Sequence, residues 1–206
     1  MSERAANLRA GIRIEWLTIG WMVLEASVAL GAGLVARSVA LVAFGLDSVI
    51  ELMSATVVLA RLRAEDRATG MTAEQVEQVE QRASRAVGWS LLILAAYVVV
   101  RSGYDLLTRA APDSSPAGIA IAIAALAVMP SLVRAKRRIS SALASTALRG
   151  DAAEGIVCVY MAATLLAGLV LRAVFGWWWA DPVAGLGIVY FIVREGREAL
   201  AGRTCC

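Results

Sequence analysis

Histidine is absent from this chain of 206 residues. That excludes imidazole metal ligands and every Ser-His or Cys-His arrangement for nucleophilic catalysis. Cysteine is scarce: Cys158, Cys205 and Cys206 are an odd set without framework spacing, so no structural disulfide is expected. No Gly-rich phosphate loop and no nucleotide fingerprint occurs. No nucleophile, base and orienting group can be assembled, so an enzyme is not expected. A cleavable leader is not expected either, because residues 1–13 are polar and the first apolar run is full length. Any site for a cation must be built from carboxylates, thiol, backbone or water.

What is present is apolar. Hydrophobic residues make up 59% of the chain and mean hydropathy is +0.69, beyond the range of a soluble domain of this size. Windows of roughly 19 residues give six candidate spans, at about 14–35, 38–60, 86–107, 117–133, 145–170 and 181–193. The sixth is short and begins at Trp177-Trp178-Trp179, an aromatic anchor of the interfacial type. The expected fold is an all-α polytopic membrane protein with six transmembrane helices, one domain over residues 1–206. A cytoplasmic connection falls at about 62–85, and no soluble C-terminal domain is expected.

The formal charge of +3 is spread between apolar runs, so it reads as topology and not as a nucleic-acid surface. Arg4, Arg9 and Arg13 precede the first span. Arg61, Arg63, Arg67, Arg82 and Arg85 separate the second and third, and Arg134, Lys136, Arg137 and Arg138 follow the fourth. Arg194, Arg197 and Arg203 end the chain, while the opposite side holds only Arg37, Arg109 and Arg172. This asymmetry places both termini in the cytoplasm of a cell-membrane (inner or plasma membrane), multi-pass protein. Between the second and third spans, Gly70 reads as a breaker and Thr72-Ala73-Glu74-Gln75 as a capping box. The segment from Glu74 to Arg85, with Val76, Val79 and Ala83 on one stripe, reads as a helical extension of the third span.

Two stretches carry chemistry. Gly45-Leu46-Asp47-Ser48-Val49-Ile50-Glu51 places two carboxylates at i and i+4, one turn apart on one face of the second span. An ionised side chain near the bilayer centre costs about 3 kcal/mol even on a lenient scale, so the pair must face other helices or water. In Asp151-Ala152-Ala153-Glu154-Gly155-Ile156-Val157-Cys158, Glu154 and Cys158 repeat the spacing and Asp151 lies one turn earlier. Two such helices facing each other make a cation site, with Asp47, Glu51, Glu154 and Cys158 as ligands. Asp151 is placed to ligate, to relay protons or to bond its neighbours. Three oxygens and one sulfur suit a tetrahedral ion such as Zn²⁺ at about 2.0–2.3 Å; Co²⁺, Fe²⁺, Mn²⁺ and Cd²⁺ are further substrates to weigh. Crowded carboxylates hold protons when a metal leaves and give them up when one binds, which would couple the two.

Several other polar residues read as structural. Glu25, in the middle of the first span, suits an interhelix hydrogen bond or a cavity. Arg101 and Asp105 neutralise each other at i and i+4. Asp181-Pro182 reads as the N-cap and N1 of the sixth helix. Pro130 is expected to bend the fourth span. Gly31 and Gly33 allow close helix approach, and Cys205 and Cys206 read as a frayed tail.

Three ordered stretches resemble the cation diffusion facilitator family of metal/proton antiporters. They are Ser38-Val39-Ala40-Leu41-Val42-Ala43 before Asp47 and Glu51, Leu148-Arg149-Gly150-Asp151-Ala152-Ala153-Glu154 before Cys158, and Trp178-Trp179-Ala180-Asp181-Pro182. The family's usual pairs are His or Asp followed by Asp. Here they are Asp47 and Glu51, then Glu154 and Cys158, so the chain resembles a short, histidine-free branch without the C-terminal cytoplasmic domain. The resemblance implies proton-coupled efflux of a divalent metal, Zn²⁺ foremost, by alternating access between the second and fifth helices, in a homodimer. Its partners would be the metal, protons and the lipid bilayer, with no bound cofactor and no nucleic acid. The alternatives are a membrane metal sensor without transport, and a proton-coupled transporter of another cation or small solute.

Overall fold

The computed structural model describes residues 2–66, 73–110 and 112–201. Six helices follow in order: α1 (Ser2–Ala36), α2 (Val39–Asp66), α3 (Ala73–Thr108), α4 (Pro116–Leu143), α5 (Thr146–Phe175) and α6 (Ala180–Leu200). Among the described residues there is no strand, and the all-α polytopic architecture stands. Five helical stretches are long and apolar enough to cross a membrane: Glu3–Ala36, Val39–Asp66, Arg85–Thr108, Pro116–Leu143 and Ala147–Phe175. The sixth helix, α6, crowds Asp181, Arg194, Glu195, Arg197 and Glu198 into its sequence, which lowers its apolar share. At 1.5 Å per residue it still covers about 30 Å, the thickness of a hydrocarbon core. It packs along α3 and α5, with Ile188 and Ile192 fully buried.

Helix ends run further than hydropathy alone suggests. The polar residues ahead of the first span continue α1, because Leu8 and Ile12 pack with Leu62, Leu143 and Leu148 in a small apolar cluster at that end. The fourth span continues past Pro130 and through its basic run to Leu143. The extension expected ahead of the third span is present as the first turns of α3. The breaker Gly70, the capping box at Thr72, Arg67, Arg203, Cys205 and Cys206 lie outside the described residues, as do the side chains of Glu74, Val76, Val79 and Ala83.

The bundle is apolar outside and partly polar within. Leu107, Val35, Val100 and Ile93 point outward, while Glu15, Glu25, Asp47, Ser48, Glu51, Lys136, Asp151 and Glu195 are buried. That distribution suits lipid as the surrounding solvent. α1 and α2 approach closely where a Cβ on Gly33 would meet the Val42 backbone at 2.9 Å and one on Gly45 would meet the Leu30 backbone at 2.9 Å. Gly31 has open space and plays no such part.

Asp181 caps a different helix from the one expected. α6 begins at Ala180 with no side-chain cap. The Asp181 carboxylate instead accepts from the Val39 N–H at 2.9 Å, the Ala40 N–H at 3.5 Å and the Ser38 hydroxyl, all at the start of α2. Orphan N–H groups at a helix N-terminus need acceptors and favour negative charge, and no water is available inside a bilayer. The same end is stitched by Arg37 to Asp113 at 3.1 Å and by Arg172 Nε to the Pro112 carbonyl at 2.8 Å. Arg101 pairs with Asp105 at 3.1 Å, as expected.

Lys136 also departs from its expected role. It does not join the solvated basic run: it is buried, bonded to Asp151, and 3.4 Å from Glu15 Oε1. The triad ties α1, α4 and α5 together. Removing the only cation from such a set leaves buried carboxylates uncompensated, a loss of about 3–5 kcal/mol.

Two outcomes follow for thermal unfolding of the purified protein in detergent. Asp181→Ala should destabilise it by about 1–2 kcal/mol, with Asp181→Asn intermediate; an unchanged midpoint would show that the interhelix cap contributes nothing. Lys136→Met should lower the midpoint further, and adding Glu15→Gln and Asp151→Asn should restore part of the loss. If the single and triple variants melt alike, the triad is not the coupled unit described.

Candidate cation site

The two sequence pairs meet in the interior. Asp47 and Glu51 lie on the buried face of α2, with Asp47 1% and Glu51 8% exposed. Both Asp47 carboxylate oxygens and Glu51 Oε1 are buried without a hydrogen-bond partner. On α5, Cys158 is fully buried as a free thiol, and Glu154 is half-buried with Oε2 unpartnered. α2 and α5 touch directly, and Ser54 of α2 lies beside the Glu154 carboxylate. Asp47 lies within electrostatic range of Glu154, and Glu51 lies within range of Asp47 and Glu154.

The remaining neighbours come from other helices. Glu25 of α1 is fully buried and accepts from Trp21 Nε1 at 2.7 Å and from Ser48 Oγ at 2.8 Å. The Cys158 thiol donates to Glu25 Oε1 at 3.7 Å. Glu25 therefore joins α1, α2 and α5 through hydrogen bonds, the interhelix role open to it. Asp151 is brought near Glu154 but is engaged by Lys136, so the structure uses it in an ion pair. That pairing leaves Asp47, Glu51, Glu154 and Cys158 as the groups around the centre. Among the described residues, no three Asp, Glu or Cys side chains are already arranged as a metal nest. A cation would have to draw these groups together, as expected of a path that releases what it binds.

Two residues of this region escaped the sequence reading. Lys136 was hidden in a basic run. Glu195 of α6 was hidden among the charges that close the last helix, yet it is only 9% exposed and lies within range of Asp47 and Glu154. A signal for Glu195 exists in the sequence: Ile188, Ile192 and Glu195 recur at i, i+4 and i+7, the spacing of one buried helical stripe.

The arrangement places up to five carboxylates and a thiol, from α1, α2, α5 and α6, in an apolar interior with Lys136 at its margin. Such a set holds protons, cations, or the two in turn. Comparison with known proteins agrees with a cation path. Residues 16–201 match the family model described as the cation efflux transmembrane domain. A protein of Synechocystis sp. described as an uncharacterized transporter is 28% identical over 187 residues, covering 89% of this chain. This chain spans 60% of that relative's length. From the match over nearly all of its helical bundle, the chain belongs to the cation efflux family, a family of multi-pass membrane proteins.

Proposed function

We propose that the protein is a proton-coupled exporter of divalent transition-metal cations, Zn²⁺ foremost, and not an enzyme. The observation that carries this reading is the pair of buried carboxylates on α2, Asp47 and Glu51, whose unpartnered oxygens stand opposite Glu154 and Cys158 of α5. Oxygens buried without partners cost free energy unless a proton or a cation satisfies them. A divalent ion supplies two charges and several bonds at once, and it displaces protons as it binds. The same residues then hold metal while open to one side and protons while open to the other.

Ligand softness supports the choice of ion. Carboxylates alone favour hard cations, while a thiolate at Cys158 shifts preference towards Zn²⁺ and Cd²⁺. Mg²⁺ is disfavoured, since it gives up its water reluctantly for an all-protein site. Alternating access would rock helices about this mid-membrane centre. A homodimer in the cell membrane, with both termini cytoplasmic, completes the proposal.

The test is flux into proteoliposomes with an acidic interior, using Zn²⁺, Co²⁺, Fe²⁺, Mn²⁺ and Cd²⁺. Wild type should show saturable, gradient-dependent uptake, and Asp47→Asn, Glu51→Gln and Glu154→Gln should each abolish it. Equal leakage by wild type and variants for every ion would refute the transporter reading. Cys158→Ser should retain transport but lose preference for Cd²⁺ and Zn²⁺ over Mn²⁺. An unchanged ranking would remove the thiol from the ligand set.

A further inference from the structure

The sixth helix brings a carboxylate to the centre that neither i, i+4 pair includes. Glu195 lies on the α6 stripe formed with Ile188 and Ile192, both fully buried. The rotation of α6 is fixed one residue later. Gly196 packs against α3 so tightly that a Cβ there would meet the Gly88 carbonyl oxygen and Leu91 Cβ, each at 3.1 Å. With Gly196 facing α3, the preceding residue is turned by about 100°, and Glu195 comes within range of Asp47 on α2 and Glu154 on α5.

Among the described residues, nothing around it gives a structural explanation for a charge. Glu195 Oε2 is buried without a hydrogen-bond partner. Among the described residues, the charged groups within range of Glu195 are Asp47, Glu51, Glu154 and Glu198, all acidic. The adjacent Arg194 reaches Glu198 at 3.0 Å on the more exposed side of the helix. A carboxylate retained among other carboxylates is expensive in an apolar interior unless a cation visits it. Asp47, with both oxygens likewise buried and unpartnered, gives a second, independent acceptor aimed at the same interior.

We propose that Glu195 is a cation-binding residue, so that the metal site is built from three helices, α2, α5 and α6, and not from two. This inference rests on the proposed metal transport. It assigns α6 a direct part in holding the ion, and it couples the position of α6, and of α3 packed on it, to occupancy of the site. Glu195 would supply an oxygen ligand beside Glu51 and Glu154.

The experiment is equilibrium binding of Zn²⁺ and Co²⁺ to the full chain purified in detergent, with metal-free thermal unfolding alongside. Glu195→Gln preserves shape and hydrogen bonding but removes the charge. It should weaken binding about tenfold or more without lowering the metal-free midpoint. Glu195→Asp should bind with intermediate affinity, Glu198→Gln should bind as wild type, and Asp47→Asn should lose binding. If Asp47→Asn loses binding while Glu195→Gln matches wild type, the inference fails and the two-helix site stands. If Glu195→Asp is as weak as Glu195→Gln, packing and not the carboxylate explains the effect, which also overturns it. Failure of the wild type to bind either ion saturably would refute both this inference and the transport reading.

Discussion

A carboxylate inside a bilayer has three ways to exist: hydrogen-bonded to donors, paired with a fixed cation, or balanced by something that comes and goes. This bundle sorts its buried acids among the three. Asp181 receives the free N–H groups of α2, and Glu25 receives Trp21, Ser48 and Cys158. Asp105 pairs with Arg101, and Asp151 and Glu15 share Lys136. Among the described residues, Glu15 and Asp105 also have buried oxygens without a hydrogen bond, but each lies beside a fixed cation. Asp47, Glu51, Glu154 and Glu195 retain buried oxygens with neither a hydrogen bond nor an ion pair. The proposed site is what is left after the structural pairs are formed. An acid that holds a helix in place is spoken for, and one that is not spoken for is available to a passing ion.

The fixed pairs also frame that centre. Asp181 pins α6 to the start of α2, and the Lys136 triad pins α1 and α4 to the start of α5. The two helices bearing the sequence pairs are thus each held near one end by a buried charge contact, at opposite ends of the bundle. Between those contacts, α2 and α5 present their free acids to one another. Rocking of helices about such fixed points is a natural way for one site to face two compartments in turn.

The sequence made much of this legible. Runs of apolar residues locate all six helices, because a span must satisfy its own backbone and do so in about 20 apolar residues. The i, i+4 pairs at Asp47 and Glu51 and at Glu154 and Cys158 follow from helical geometry alone. Helix ends were less legible, since Leu8 and Ile12 extend α1 by packing against residues from three other helices. Asp181 read locally as a cap for its own helix, and its true partners lie about 140 residues earlier. Lys136 read as one of four basic residues within five positions, and nothing local distinguishes the one that turns inward. Glu195 was masked by Arg194, Arg197 and Glu198, although its place on the Ile188 and Ile192 stripe was visible. Pairings between distant segments are what a single sequence conceals.

The central claim is that the unpartnered acids exchange a metal for protons. It is tested most directly by recording luminal pH and luminal metal together in proteoliposomes loaded at acidic pH, with Zn²⁺ added outside. The account predicts that each entry of metal is matched by alkalinisation of the lumen in a fixed ratio, and that a protonophore which collapses the gradient stops uptake. Metal entering with no change in luminal pH, or at the same rate without a gradient, would contradict it.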